Sequence, residues 1–135
     1  MLLVDTNVLV DILENDPQWA DWSIAQLRAQ ANIHRLAINP IIYSELSLAF
    51  STVEALDQSI DELGLAMVEL SRPALFLAGK AFIRYRRQGG TKNKVLADFY
   101  IGAQAAVSRY PLLTRDPRRY RTYFSDLQLI TPDRT

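Results

Sequence analysis

The chain has 135 residues, of which 49% are hydrophobic, 22% are charged and none is cysteine. That length suits one domain with an ordinary core, and the missing cysteine excludes a disulfide frame, a thiolate nucleophile and a zinc–sulfur site. The formal charge is zero, yet residues 1–71 carry 2 basic against 11 acidic residues (−9) and residues 72–135 carry 13 against 4 (+9).

In chain order, Leu2–Val4 reads as a short buried strand, and Thr6 or Asn7 caps a helix through Leu13. Asn15-Asp16-Pro17 is a turn, with Pro17 suited to the first turn of a helix running to Gln30. A second strand covers Leu36–Ile38, and Asn39-Pro40 starts a helix to about Phe50. Ser51 or Thr52 caps the next helix, to about Leu63, with Val53, Leu56 and Ile60 as its apolar stripe. Ala66–Leu70 is a third strand; Ser71-Arg72-Pro73 opens a helix to about Gln88 that Gly89-Gly90 ends. A polar, basic loop over Gln88–Lys94 leads into an almost wholly apolar helix, Ala97–Ser108. Pro111–Thr114 and Leu127–Ile130 complete the strands. Strands alternating with helices predict one domain over residues 1–135, an α/β fold with a mainly parallel sheet of about five strands and helices on both faces. The apolar stretch Val95–Val107 contains Asp98 and is too short to span a bilayer, and the N-terminus lacks a signal-peptide pattern. The expectation is a cytoplasmic protein with no membrane partner.

Four acids stand out by position. Asp5 closes the first apolar run and Asp116 follows the fourth. Asp98 opens the most apolar helix, and Glu45 shares the inward face of its own helix with Ile41, Ile42, Leu46, Ala49 and Phe50. Singly, each has an ordinary explanation: helix caps for Asp5 and Asp98, a turn residue for Asp116, an inward acid paired elsewhere for Glu45. Jointly, they belong to elements that approach one end of one sheet, where α/β proteins bind ligands. Carboxylates gathered there repel one another unless a cation sits among them. Thr6, Asn7 and Thr114 are short polar side chains placed to hydrogen-bond them. Asp11 reads as a solvated residue, and the lone His34 has no companion ligand.

The basic half clusters at Arg84, Arg86, Arg87, Lys92, Lys94, Arg115, Arg118 and Arg119, cations suited to a phosphate backbone. Tyr85, Tyr120 and Tyr123 offer rings for base stacking, although packing explains each of them separately.

These segments resemble the PIN-domain nucleases, and within them the VapC-type ribonuclease toxins. Leu3-Val4-Asp5-Thr6-Asn7, Ile42-Tyr43-Ser44-Glu45-Leu46, Ala97-Asp98-Phe99-Tyr100-Ile101-Gly102 and Leu112-Leu113-Thr114-Arg115-Asp116 are similar to the four acidic motifs of that family, in order, across residues 2 to about 130. Lys94-Val95-Leu96 departs from it where relatives often carry proline. The resemblance implies a PIN-like three-layer α/β/α sandwich and a catalytic metal site of Asp5, Glu45, Asp98 and Asp116. Asn7 and Thr114 would support Asp5 and Asp116. It also implies RNA as substrate (transfer RNA or another structured RNA), a homodimer, and a VapB-type antitoxin that lays a peptide across the acids. An oxygen-only ligand set favours Mg²⁺ or Mn²⁺ over zinc. The rival readings are a PIN nuclease of RNA processing or decay without an antitoxin, and a non-catalytic RNA-binding module. A haloacid-dehalogenase-like phosphatase wants a second acid where Asn7 stands, a receiver wants a late Lys where Arg115 stands, and a Rossmann nucleotide site wants a glycine-rich first turn.

Overall fold

Leu2, Leu3 and Val4 have no exposed surface, as an apolar run has when it lies inside a parallel sheet covered on both faces. They form β1 (Leu2–Val4) in a computed structural model that describes residues 1–132. It is joined by β2 (Leu36–Ile38), β3 (Ala66–Met67), β4 (Leu112–Leu113) and β5 (Leu129–Ile130). Every pairing is parallel and the order is β3-β2-β1-β4-β5. Helices α1 (Thr6–Leu13), α2 (Ala20–Ala31), α3 (Pro40–Leu46), α4 (Val53–Glu62), α5 (Arg72–Arg87), α6 (Val95–Ser108) and α7 (Arg118–Tyr123) flank the sheet in a three-layer α/β/α arrangement. The expected fold class is met, with a sheet that is wholly parallel.

Several elements are shorter than the sequence suggests, for identifiable reasons. Asp5, not Thr6 or Asn7, caps α1. α2 starts at Ala20 because Asp16 Oδ1 accepts the backbone N–H groups of Gln18 and Trp19 at 2.8 and 2.9 Å, holding Pro17 in a turn. α3 stops at Leu46 and tightens into a 3₁₀ turn over Ser47–Ala49, where the Ser47 hydroxyl donates to the Ser44 carbonyl at 2.6 Å. Ala49 is therefore exposed rather than inward. In α4, Leu56 and Ile60 are buried but Val53 is 63% exposed, because it opens the helix outside the core. β3 keeps two residues, and α6 starts at Val95, two residues before Ala97. α7 follows Pro117 and is not predicted from the sequence at all.

β1 leads to β2 and β3 on one side and has β4 and β5 on the other, so the strand order reverses between β1 and β4. Loops leaving adjacent strands at such a point diverge and open a crevice at their carboxyl ends. The register pairs Val4 with Leu113, which sets Asp5 beside Thr114, and the Asp5 N–H donates to the Leu113 carbonyl at 2.9 Å. α5 and α6 pack together, with Ala74, Ala78 and Ala81 buried along one face of α5. Among the described residues no helix is long and apolar enough to cross a membrane.

Candidate functional site

Asp5 leaves β1 into the crevice and is only 4% exposed. Its Oδ1 accepts the Thr6 N–H at 2.7 Å, which caps α1. Its Oδ2 accepts the Thr114 hydroxyl at 2.9 Å, the Tyr120 hydroxyl at 2.8 Å and the Asn7 amide at 3.4 Å. All four donors are neutral. Burial, then the charge of Asp98, push the Asp5 carboxyl up to about 7 despite those hydrogen bonds. The capping role and the crevice role thus fall to different oxygens of one carboxyl.

The other acids gather around Asp98, which lies in the first turn of α6. Burial raises its carboxyl; the hydrogen bond and charge of Arg119 lower it, and Asp116 raises it. Glu45, on α3, is raised by burial and by Asp98, and lowered by the Thr6 hydroxyl that donates to its Oε1 at 2.6 Å. Asp116 lies beyond β4 with more than half of its side chain exposed, and its N–H donates to the Thr114 hydroxyl at 3.2 Å. Asn7 ties the two loops together: its amide donates to Thr114 Oγ1 at 3.2 Å and its Oδ1 accepts the Arg115 N–H at 3.3 Å. Thr6, Asn7 and Thr114 therefore all hydrogen-bond the acids or the loops that carry them. Asp5, Asn7, Asp98 and Asp116 line a cleft of about 400 Å³ together with Arg119 and Tyr120.

The cations expected to meet RNA divide into two groups. Arg84, Arg86, Arg87, Lys92 and Lys94 are exposed at the end of α5 and in the following loop. Within that group Arg84 lies over the Tyr123 ring, while Arg86 lies over Phe82 and hydrogen-bonds Asn93. The second group is engaged with acids. Arg115 Nε donates to Asp11 Oδ2 at 2.8 Å and its guanidinium covers Trp19. Arg118 stands 3.6 Å from Asp116, and Arg119 is 3.0 Å from Asp98. Asp11 is not solvated: it is 2% exposed and also accepts the Ser23 hydroxyl at 3.0 Å. Arg115 and Asp11 pin the loop after β4 to α1.

Tyr120 packs in the core, and beyond packing it is a site residue, a role its sequence context does not show. It is 2% exposed, so its ring has no face free for a base, and its hydroxyl is spent on Asp5. Tyr120 and Phe124 pack on Gly102 of α6. A Cβ at residue 102 would lie 2.6 Å from the Phe124 ring and 3.0 Å from the Tyr120 ring. Only glycine admits that approach, and α7 reaches Asp5 and Asp98 because of it.

With this arrangement in view, the sequence profile of the PIN domain matches residues 2–125. The chain belongs to the PIN-domain family. No curated protein is significantly similar to it in sequence. Solved structures share the PIN fold over nearly the whole chain. VapBC2 from Rickettsia felis, bound to a DNA fragment from its promoter, matches at TM-score 0.74 and 19% identity over 98% of each chain. FitAcB from Neisseria gonorrhoeae matches at 0.71 and 24% over 98% of each chain. VapBC-1 from nontypeable Haemophilus influenzae matches at 0.70 and 19% over 96% of each chain.

PIN-domain nucleases typically use divalent metals, and the donor set here fits a hard cation. The crevice of this PIN domain offers carboxylate, amide and hydroxyl oxygens without cysteine or histidine. Among the described residues the buried Asp5 carboxyl has only neutral hydrogen-bond donors, a deficit of positive charge that a cation corrects. As the side chains stand, no three acidic or histidine groups among the described residues close on one point.

Proposed function

We propose that this PIN domain is an Mg²⁺- or Mn²⁺-dependent endoribonuclease and acts as the toxin of a VapBC-type pair. The observation that carries the reading is Asp5: a buried carboxyl at the strand-order reversal, fixed by Thr114 and Tyr120, short of positive charge and next to Asp98.

Asp5 and Asp98 would hold the ion, Glu45 would complete the site from α3, and Asp116 would act through water. A bound divalent ion would supply an activated water and would offset charge developing on the phosphoryl group. The protein's part is positional. Thr114 and Tyr120 hold Asp5 in one orientation, Thr6 holds Glu45, and Asn7 joins the β1 and β4 loops. The exposed Arg84, Arg86, Arg87, Lys92 and Lys94 would bind the RNA backbone beside the cleft, with affinity that falls as salt rises. Fold similarity to chains from VapBC complexes supports a VapB-type antitoxin partner; the proposal adds that the antitoxin covers the acids and that the protein is a homodimer. A cytoplasmic setting and a structured RNA such as transfer RNA complete the reading.

Cleavage of total and transfer RNA by the purified protein tests it, with Mg²⁺ or Mn²⁺ against EDTA and with folded Asp5→Asn and Asp98→Asn variants alongside. Metal-dependent cutting that both variants lose is expected. Equal cutting by the variants would remove the site assignment. No cutting of any RNA by folded, metal-loaded, antitoxin-free protein would remove the nuclease.

A further inference from the structure

Arg119 is in hydrogen-bond contact with the central acid of the cleft, and the fold holds it there from several directions. Its Nη1 donates to Asp98 Oδ2 at 3.0 Å, with both side chains about two-thirds buried. Its guanidinium lies 5.9 Å from the centre of the Tyr85 ring. That ring is itself fixed edge-on against Phe99 and stacked on Phe82. The helix that carries Arg119 is docked through Gly102, where the rings of Phe124 and Tyr120 fill the space a side chain would take. The next residue, Tyr120, is anchored on Asp5. Arg119 therefore does not drift over the cleft; it is aimed at one carboxylate.

Asp98 is also the acid the others respond to. Its charge raises the carboxyls of Asp5 and Glu45, after burial in each case, and Asp116 raises it in turn. A guanidinium on that carboxylate supplies the positive charge that a bound ion would otherwise supply.

We propose that Arg119 is a resident counter-ion that competes with the divalent cation for Asp98, so that metal binding and release of Arg119 from Asp98 are one coupled step. The inference rests on the metal-site reading above and adds its regulation. Two positive groups on one carboxylate repel, so the ion weakens the Arg119–Asp98 contact and, by reciprocity, the contact weakens the ion. When the ion is absent, Arg119 keeps the cleft from carrying an uncompensated cluster of acids. When it binds, a guanidinium is freed at the cleft wall.

The experiment is Mn²⁺ affinity, read from the paramagnetic resonance of the free ion, for the wild type, Arg119→Gln, Asp98→Asn and Arg72→Gln. Arg72→Gln is the charge-matched control, at the exposed start of α5 and about 20 Å along the helix from Tyr85. Arg119→Gln is expected to bind Mn²⁺ roughly three- to ten-fold tighter, Arg72→Gln to match the wild type, and Asp98→Asn to lose binding. In parallel, Mg²⁺ added to the wild type should move one arginine side-chain N–H resonance, the one missing from Arg119→Gln. Unchanged or weaker Mn²⁺ affinity in Arg119→Gln, or an Arg119 resonance indifferent to Mg²⁺, overturns the competition. If that happens while Asp98→Asn still loses binding, the metal site stands without the competition. If no protein in the set binds Mn²⁺, both readings fall.

Discussion

Replacing Asp5 by Asn removes the one titrating group of the cleft whose environment is most hostile to charge. Its carboxyl, at about 7 in the folded metal-free protein, stands near 4 when the chain unfolds. Between those values the unfolded chain has lost the proton and the folded chain still holds it. The folded state therefore binds more protons, and its stability falls as pH rises through this window, levelling off above about 7. Three pH units at about 1.4 kcal/mol each give a ceiling of about 4 kcal/mol for that loss. Asparagine does not titrate, so the variant escapes it. Asn also disturbs the hydrogen bonds from Thr114 and Tyr120, but that cost does not vary with pH in the window. Urea unfolding of wild type and Asp5→Asn, in EDTA at half-unit steps from pH 4 to 8, isolates the difference. The variant should gain on the wild type steadily, by up to about 4 kcal/mol from end to end. Adding Mg²⁺ at pH 8 should close part of the gap, because the ion binds the folded wild type and not the unfolded chain. A stability difference that is flat with pH would refute the claim that Asp5 is buried short of positive charge.

Three other perturbations separate the roles assigned above. Gly102→Ala places a methyl against the Phe124 and Tyr120 rings, so it should cost about 1–3 kcal/mol in urea unfolding despite alanine's better helix propensity. A stabilised variant would refute the close approach. Arg115→Ala leaves Asp11 buried beside Ser23 and should destabilise by about 2–4 kcal/mol. A double-mutant cycle with Asp11→Ala should show a coupling of about 1–3 kcal/mol, and a coupling near zero would mean the pair is incidental. Neutralising Lys92, Lys94 or Arg87 should each lower the slope of log affinity against log salt for single-stranded RNA by about 0.7, measured with a cleavage-dead variant. An unchanged slope would mean those cations face solvent.

The apolar runs and their punctuation made the strands legible: Leu2–Val4, Leu36–Ile38 and Leu112–Leu113 all lie where a continuous hydrophobic stretch breaks at a polar residue. The cap at Ser71 was equally plain, and of Ser51 and Thr52, both offered by the sequence, the structure uses Thr52; each of the two caps accepts the N–H three residues on. What blurred were the ends, where a local side-chain bond such as Asp16 to Gln18 and Trp19 outbids the helix. α7 escaped because its six residues, Arg118–Tyr123, have too few turns to show a period. Asp11 misled for a related reason: its partners Ser23 and Arg115 stand 12 and 104 residues away, and nothing local announces them.

The sequence by itself determined which residue types were available for chemistry: four acids in separate motifs, no thiolate, one histidine, and cations concentrated in the second half. Those are properties of side chains and of short-range pattern, which survive without a fold. Only the tertiary structure decided which of them meet. Parallel register set Asp5 beside Thr114, Gly102 let α7 close over the crevice, and each of Arg115, Arg118 and Arg119 found a different acid. Burial and charge coupling depend on distances through space, and sequence separation says little about those; this is why a carboxyl that caps a helix at one oxygen could be strained electrostatically at the other.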